Sequence, residues 1–132
     1  MIRLLIADDE KLEREALAEL VQRRFEREVV LEVAENGRKA ADTAVLWGAD
    51  LILMDIEMPG INGIQAAEKI REKDKNCCII FLTAYDEFSY AKKAITVRAL
   101  DYILKPWDEK ELMLVLEEAM RLAGEKEEQT RI

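Results

Sequence analysis

The chain has 132 residues, half of them hydrophobic and 36% charged, which is typical of one soluble globular domain with one core. Its net charge of -8 and its pI of about 4.7 argue against nucleic-acid binding by this segment, because the phosphate backbone repels an acidic surface. No apolar run approaches the ~20 residues that a membrane-spanning helix needs, and the acid at Asp8 leaves no room for a signal peptide, so we expect a cytoplasmic protein.

Strand-like and helix-like segments alternate five times along the chain. The strands are predicted over Ile2–Ala7, Val29–Ala34, Leu51–Met54, Cys77–Leu82 and Tyr102–Leu104. The helices are predicted over Lys11–Arg24, Arg38–Trp47, Gly63–Lys73, Glu87–Val97 and Asp108–Leu122. This alternation predicts an α/β fold with a parallel sheet and helices on both of its faces.

Helix boundaries have local signals. Asn36 and Asn62 each precede a glycine in a turn dipeptide before a helix, and Asp86 and Asp108 are predicted N-caps of the fourth and fifth helices. After Gly124, the run Glu125–Thr130 is polar and lacks a core pattern. We therefore predict a domain over residues 1–123, and over 124–132 the start of a linker or a frayed C-terminal helix.

Two residue types limit the chemistry. The chain has no histidine, so any phosphohistidine in its reaction must come from a partner. Its two cysteines, Cys77 and Cys78, are adjacent in a predicted strand and should point to opposite faces, so they cannot bridge each other. We expect buried, reduced thiols rather than a metal or redox site.

Acids, a hydroxyl and an amine follow the predicted strands at the points where these strands end. Asp8 and Asp9 follow the first strand, Asp55 the third, Thr83 the fourth and Lys105 the fifth. Ligands of open α/β sheets bind beyond the carboxyl ends of the strands, so these side chains should converge at one edge. In a sheet of order 2-1-3-4-5, the first and third strands are neighbours, which places Asp55 beside the acidic pair.

Carboxylates held this close repel each other unless a cation lies between them, and Mg²⁺ prefers oxygen ligands. Asp55 stands alone among apolar residues, and a carboxylate can act as a nucleophile toward phosphorus. Lys105 would neutralise phosphate oxygens and Thr83 would donate a hydroxyl hydrogen bond. Taken singly, Asp9 could be a helix cap, Thr83 a strand-end residue and Lys105 a surface lysine; the combination favours a metal and phosphoryl site.

Two residues near Lys105 are ambiguous from the pattern. Pro106 follows the lysine, and a tight bend there would aim its ammonium into the site, although most X–Pro bonds are trans. Tyr102 lies on the last predicted strand, where a half-buried aromatic side chain at the edge of the sheet is the favoured interpretation.

Four motifs resemble the receiver domain of bacterial two-component response regulators over residues 1–122. They are Asp8–Glu10 after the first strand, Leu53–Gly60 with Asn62-Gly63, Thr83-Ala84, and Asp101–Pro106. Each motif is weak alone, but all four in this order at these spacings are highly specific. The resemblance implies a flavodoxin-like, doubly wound, five-stranded sheet of order 2-1-3-4-5. One departure is Arg98, at a turn position that is often glycine.

The resemblance also implies a role for each site residue. Asp55 would accept a phosphoryl group, with Lys105 and Thr83 contacting that group. Mg²⁺ would be held by Asp9, Asp55 and the backbone carbonyl of Glu57, and by Asp8 partly through water. Thr83 and Tyr102 would form a switch pair, and the bond before Pro106 would be cis.

The implied partners are a sensor histidine kinase and an output domain in cis. Tyr85–Ala94 looks like receivers attached to arabinose-regulator-type helix-turn-helix outputs, so we expect a transcriptional, DNA-binding output outside these residues. The charged tail favours an excised receiver over a stand-alone one. The fourth helix, fifth strand and fifth helix would form the readout surface, and a homodimer could form through it.

Two alternatives stay open. A Mg²⁺-dependent phosphatase that forms an aspartyl-phosphate needs a second acid two residues after the nucleophile, and Glu57 occupies that position. A phosphate-independent interaction module could also keep this fold. The favoured interpretation is a signalling receiver that catalyses only its own phosphotransfer and dephosphorylation.

Overall fold

The computed structural model describes residues 1–130, with side chains described for residues 1–126. The strands are β1 Ile2–Ala7, β2 Val29–Ala34, β3 Leu51–Asp55, β4 Cys78–Thr83 and β5 Asp101–Leu104. The helices are α1 Lys11–Phe25, α2 Gly37–Thr43, α3 Gly63–Lys73, α4 Phe88–Thr96 and α5 Glu109–Thr130, and a π-helical turn over Ala44–Gly48 follows α2.

The strands form one parallel sheet in the order β2-β1-β3-β4-β5, which confirms the predicted fold. Successive residues of a strand face opposite sides, so each strand contributes to two cores. Ile52 and Phe81 lie in the core on the side of α2, α3 and α4. Leu53 and Ile80 lie in the core on the side of α1 and α5. Every residue of β3 is buried because helices cover both faces of the sheet.

The predicted burial of the two cysteines on opposite faces of the sheet is confirmed. Cys77 and Cys78 are both buried and unbridged, and they belong to the cores on opposite sides of the sheet. Burial raises the pKa of both thiols, to about 11 for Cys77. They are therefore structural core residues rather than reactive groups.

Helix starts agree in part with the predictions. Asn62 and Gln65 form a reciprocal capping box at α3, and Asp108 accepts a hydrogen bond from the Lys110 amide (3.1 Å) at the start of α5. The prediction that Asp86 caps α4 is wrong. The helix begins one residue later, and the N-cap position is taken by Glu87, whose side chain makes no capping bond.

Two helix ends differ from their predictions. The predicted second helix divides at Thr43, because the Ala49 amide donates to the Ala44 carbonyl five residues earlier (3.0 Å) and widens the last turn. The fifth helix passes its predicted end at Leu122 and continues to Thr130. Residues 131 and 132 of the predicted linker or frayed end lie outside the described residues. No helix in the described part of the chain has the length and apolarity to cross a membrane.

Candidate functional site

The register of the sheet aligns the carboxyl ends of four strands. Ala7 on β1 pairs with Met54 on β3, Asp55 with Leu82 on β4, and Thr83 with Leu104 on β5. The residues that follow these pairs therefore emerge side by side at one edge of the sheet. The polar residues predicted to converge there do so, in the loops after β1 and β5 and at the last positions of β3 and β4.

Three carboxylates at this edge form a compact group. Asp8, Asp9 and Asp55 each offer an oxygen within 4.8 Å of the others. Asp8 and Asp55 are buried and Asp9 is exposed, so the group opens to solvent on one side. The Asp8 Oδ1 atom accepts a hydrogen bond from the Glu10 amide (2.8 Å), whereas the buried Oδ2 atom accepts none. A buried oxygen that accepts no hydrogen bond, within a trio of hard oxygen donors, fits a divalent cation such as Mg²⁺.

The pKa values of the two buried acids, Asp8 and Asp55, are both raised. Burial raises the pKa of Asp55 to about 7, although the Lys105 ammonium opposes the shift. Burial also raises the pKa of Asp8 to about 6, against the lowering effects of the Glu10 amide and Lys105. The site without a metal therefore holds more buried carboxylate than its own cation can neutralise.

Lys105 provides that cation. Its Nζ atom lies 3.2 Å from Asp55 Oδ1, 2.7 Å from Glu13 Oε1 and 3.7 Å from Asp8 Oδ2. Burial alone would lower the pKa of Lys105, but the surrounding carboxylates overcome this effect and raise it above its ordinary value. The Lys105–Pro106 peptide bond is cis.

Glu13 and Arg14 also reach the site, and neither was predicted from the sequence. Both lie in the first turn of α1, which begins directly after the loop that contains Asp8 and Asp9. Their closeness in sequence to the acidic pair was the signal that could have identified them. Glu13 forms the shortest of the ion pairs to Lys105, and the Arg14 guanidinium donates to the Asp8 backbone carbonyl (2.8 Å). These residues tie α1 to the site on the side of the lysine.

On the opposite side, Thr83 contacts the side chain of Glu57, and this contact was not predicted from the sequence. Its hydroxyl donates to Glu57 Oε2 (2.5 Å), and the Ala84 amide donates to Glu57 Oε1 (3.0 Å). The Glu57 backbone amide in turn donates to Asp55 Oδ1 (3.3 Å). Glu57 therefore connects the predicted acceptor to the end of β4.

Tyr102 lies farther out, half-buried against the core beside α4. Its hydroxyl donates to the Tyr85 carbonyl (2.8 Å), and the Tyr85 amide donates to the Thr83 hydroxyl oxygen (3.1 Å). Thr83 and Tyr102, predicted as a pair, are thus connected through the backbone of Tyr85.

Comparison with known proteins gives a consistent result. Residues 4–117 match the family described as the response regulator receiver domain. The chain is 42% identical over 118 residues to the sensory transduction protein LytT of Oceanobacillus iheyensis, covering 87% of this chain and 46% of that protein. It is 38% identical over 120 residues to the positive alginate biosynthesis regulatory protein of Pseudomonas aeruginosa, covering 91% and 48%. The chain spans about half the length of these curated relatives.

Solved structures show the same likeness. The REC domain of AraT, a response regulator from Geobacillus stearothermophilus, superposes with a TM-score of 0.77 at 36% identity, covering 98% of both chains. A CheY-like receiver domain protein from Methanospirillum hungatei gives a TM-score of 0.86 at 21% identity, covering 96% of this chain and 98% of that one. The second likeness concerns the fold alone.

Proposed function

This chain belongs to the response regulator receiver domain family, and from that premise we propose that it is a phosphorylation-controlled switch whose phosphoryl acceptor is Asp55. The observation that carries the proposal is the placement of Asp55. Its carboxylate is 2% exposed at the end of an interior strand, with an ammonium 3.2 Å away and two further acids beside it. Phosphoryl transfer depends on such positioning and charge neutralisation.

In the proposed reaction, a partner histidine kinase presents a phosphohistidine. An Asp55 carboxylate oxygen attacks phosphorus, the bond from phosphorus to the imidazole nitrogen breaks, and its electron pair returns to the imidazole. Lys105 already contacts Asp55, so its ammonium can pair with the phosphoryl oxygens as they arrive. The chain acts only on its own phosphoryl group, in transfer and in later hydrolysis.

The metal in this proposal is Mg²⁺. Asp9, Asp55 and the backbone carbonyl of Glu57 would hold it, with Asp8 acting partly through water. When bound, it supplies positive charge that the acids lack and that the transferring group requires. The absence of a hydrogen bond to the buried Asp8 Oδ2 atom and the raised pKa values of Asp8 and Asp55 support this assignment.

The proposed output follows from the switch pair. Thr83 would turn toward the phosphoryl group and Tyr102 inward, favouring an active conformation that exists beforehand as a minor state. The change would affect the surface of α4, β5 and α5, through which a second copy or an output domain in cis would bind. We propose that this output domain is transcriptional and DNA-binding. The receiver segment would contact neither nucleic acid nor membrane, and would work in the cytoplasm.

The test uses acetyl phosphate and Mg²⁺ with intact mass spectrometry. We expect a mass gain of one phosphoryl group, which disappears in EDTA and in Asp55→Asn but persists in Asp42→Asn, an exposed acid of α2. No gain in the wild type would contradict the proposal and favour a phosphate-independent module. Repeated turnover of a phosphomonoester would favour the phosphatase alternative.

A further inference from the structure

The Glu57 carboxylate accepts hydrogen bonds from two donors at the end of β4, one on each of its oxygens. The Thr83 hydroxyl binds Oε2 at 2.5 Å and the Ala84 amide binds Oε1 at 3.0 Å. Both donors point at one anion, and charged acceptors form the stronger class of hydrogen bond. The end of β4 is therefore a small anion site that a side chain of the same protein fills.

The sheet register explains why Glu57 reaches this position. Asp55 pairs with Leu82 across β3 and β4, so Glu57, two residues later, leaves its strand beside Thr83 and Ala84. The Ile56 amide fixes the departure by donating to the Leu82 carbonyl (3.0 Å). A glutamate at this position has the reach and the charge to occupy the donors.

The proposed function assigns one of these donors, the Thr83 hydroxyl, to a phosphoryl group on Asp55, and the Ala84 amide donates to the same carboxylate beside it. A threonine hydroxyl and a backbone amide each have one hydrogen to donate, so neither can serve the Glu57 carboxylate and a phosphoryl oxygen fully at once. The two anions also repel each other in a site that already contains several carboxylates. Binding by one anion must therefore displace the other.

We propose that the Glu57 carboxylate is an intramolecular competitor of the phosphoryl group. It holds Thr83 and Ala84 in the resting protein, and it leaves them when Asp55 is phosphorylated. This inference rests on the proposed function, because it takes Asp55 as the acceptor. Glu57 thereby sets how strongly a phosphoryl group engages the switch residue.

The first measurement concerns the resting contact and uses neither phosphoryl donor nor metal. In amide NMR spectra of the metal-free protein, Glu57→Ala should shift the Ala84 amide resonance strongly upfield, because a charge-assisted hydrogen bond is lost. Glu87→Gln is the matched control, since this neighbouring acid caps α4 without a side-chain capping bond, and it should leave the resonance in place. An unmoved Ala84 resonance in Glu57→Ala would overturn the proposal.

The second measurement tests competition with beryllofluoride and Mg²⁺ as a phosphoryl analogue. We expect about tenfold tighter binding in Glu57→Ala, because the donors no longer have to be released. Glu57→Asp separates occupancy from charge, since it keeps the charge but is one methylene shorter and cannot reach both donors. Tighter binding in Glu57→Asp supports competition, whereas wild-type affinity in Glu57→Asp assigns the effect to charge and overturns it.

Failure of the proposed function and failure of the competitor role alone would give different binding results. If neither the wild type nor any variant binds beryllofluoride while all remain folded, the proposed function itself is wrong, and the competitor role falls with it. If all bind with equal affinity, Asp55 keeps its assignment and only the competitor role is overturned. Far-UV circular dichroism and urea unfolding of each variant establish that it is folded.

Discussion

Asp55 and Asp8 are the two buried acids of the site. Both carboxylates are almost fully removed from solvent, and one ammonium, that of Lys105, serves them together with Glu13. Burial raises their pKa values to about 7 and about 6, and the Lys105 ammonium opposes these shifts without overcoming them. Ionisation of the folded site is therefore unfavourable until further positive charge arrives.

We predict that the metal-free protein loses stability as pH rises. In the unfolded chain, aspartates titrate at about pH 4. The folded protein retains protons at Asp8 and Asp55 up to about pH 6 and about pH 7, so between these limits it binds more protons than the unfolded chain. The free energy of unfolding should therefore fall from about pH 4 to about pH 7, with no contribution from these groups to the slope below that window.

Urea unfolding in EDTA across this pH range measures the effect. Asp55→Asn should flatten the upper part of the slope, and Mg²⁺ should raise the unfolding midpoint more at about pH 8 than at about pH 5, since the acids must be ionised to bind it. An equally steep slope in Asp55→Asn, or an equal effect of Mg²⁺ at both pH values, would contradict the prediction.

Helix α3 positions the site through its first residue. The Gly63 amide donates to the Ile56 carbonyl (2.9 Å), and a Cβ atom at Gly63 would overlap the Asp55 carbonyl oxygen and meet the Met54 side chain. The absence of a side chain is therefore what allows α3 to start directly against the end of β3. Gly124 in α5 offers a contrast, because a Cβ atom there would meet nothing.

We predict opposite effects of alanine at these two glycines. Gly63→Ala should lower the free energy of unfolding by about 1–3 kcal/mol, because the overlap with backbone forces α3 or β3 to shift, and it should slow phosphorylation of Asp55. Gly124→Ala should raise the free energy by about 0.5–1 kcal/mol, because glycine disfavours a helix interior. Urea unfolding and the acetyl phosphate assay measure both. A harmless Gly63→Ala would show that α3 is free to shift without disturbing Asp55.

At the scale of the whole molecule, two cores share a single sheet. Phe81 faces the core under α2, α3 and α4, whereas its neighbour Leu82 faces the core under α1 and α5. Neither set of helices can leave without exposing strands that the other set also needs. The domain should therefore unfold as one unit.

The two tryptophans allow a direct test, because Trp47 packs against the first core and Trp107 against the second. In Trp107→Phe the fluorescence reports one face, and in Trp47→Phe it reports the other. Within each variant, we expect the fluorescence midpoint in urea to coincide with the midpoint from far-UV circular dichroism. A fluorescence transition that precedes the loss of secondary structure on one face would show that the cores separate.

Some elements were predictable from the sequence because their signals are local. The buried strands are short apolar runs, the start of α3 follows the turn dipeptide Asn62-Gly63, and the strand order follows from the family motifs. The convergence of Asp8, Asp9, Asp55 and Lys105 follows because parallel strands bring their carboxyl ends to one edge. The division of the predicted second helix at Thr43 left no comparable pattern, because it depends on one backbone hydrogen bond.

The turn at Arg98 was only partly predictable from the sequence. Its sequence indicated a departure at a position that is often glycine. The structure keeps the left-handed backbone (φ 57°), and the Arg71 guanidinium holds the turn through the carbonyls of Val97 (2.7 Å) and Arg98 (3.2 Å). Arg71 lies 26 residues before Val97 and 27 residues before Arg98, so no local pattern in the sequence indicates this contact.

By itself, the sequence determined the α/β class, the sheet edge that carries the site and the identities of the acids, because periodicity and strand ends are properties of consecutive residues. Only the tertiary structure decided which groups those acids meet. Glu13 reaches Lys105 from α1, and the Glu57 carboxylate takes the Thr83 hydroxyl and the Ala84 amide. Such contacts depend on side-chain conformations and on distances between separate elements, which exist only once the chain has folded.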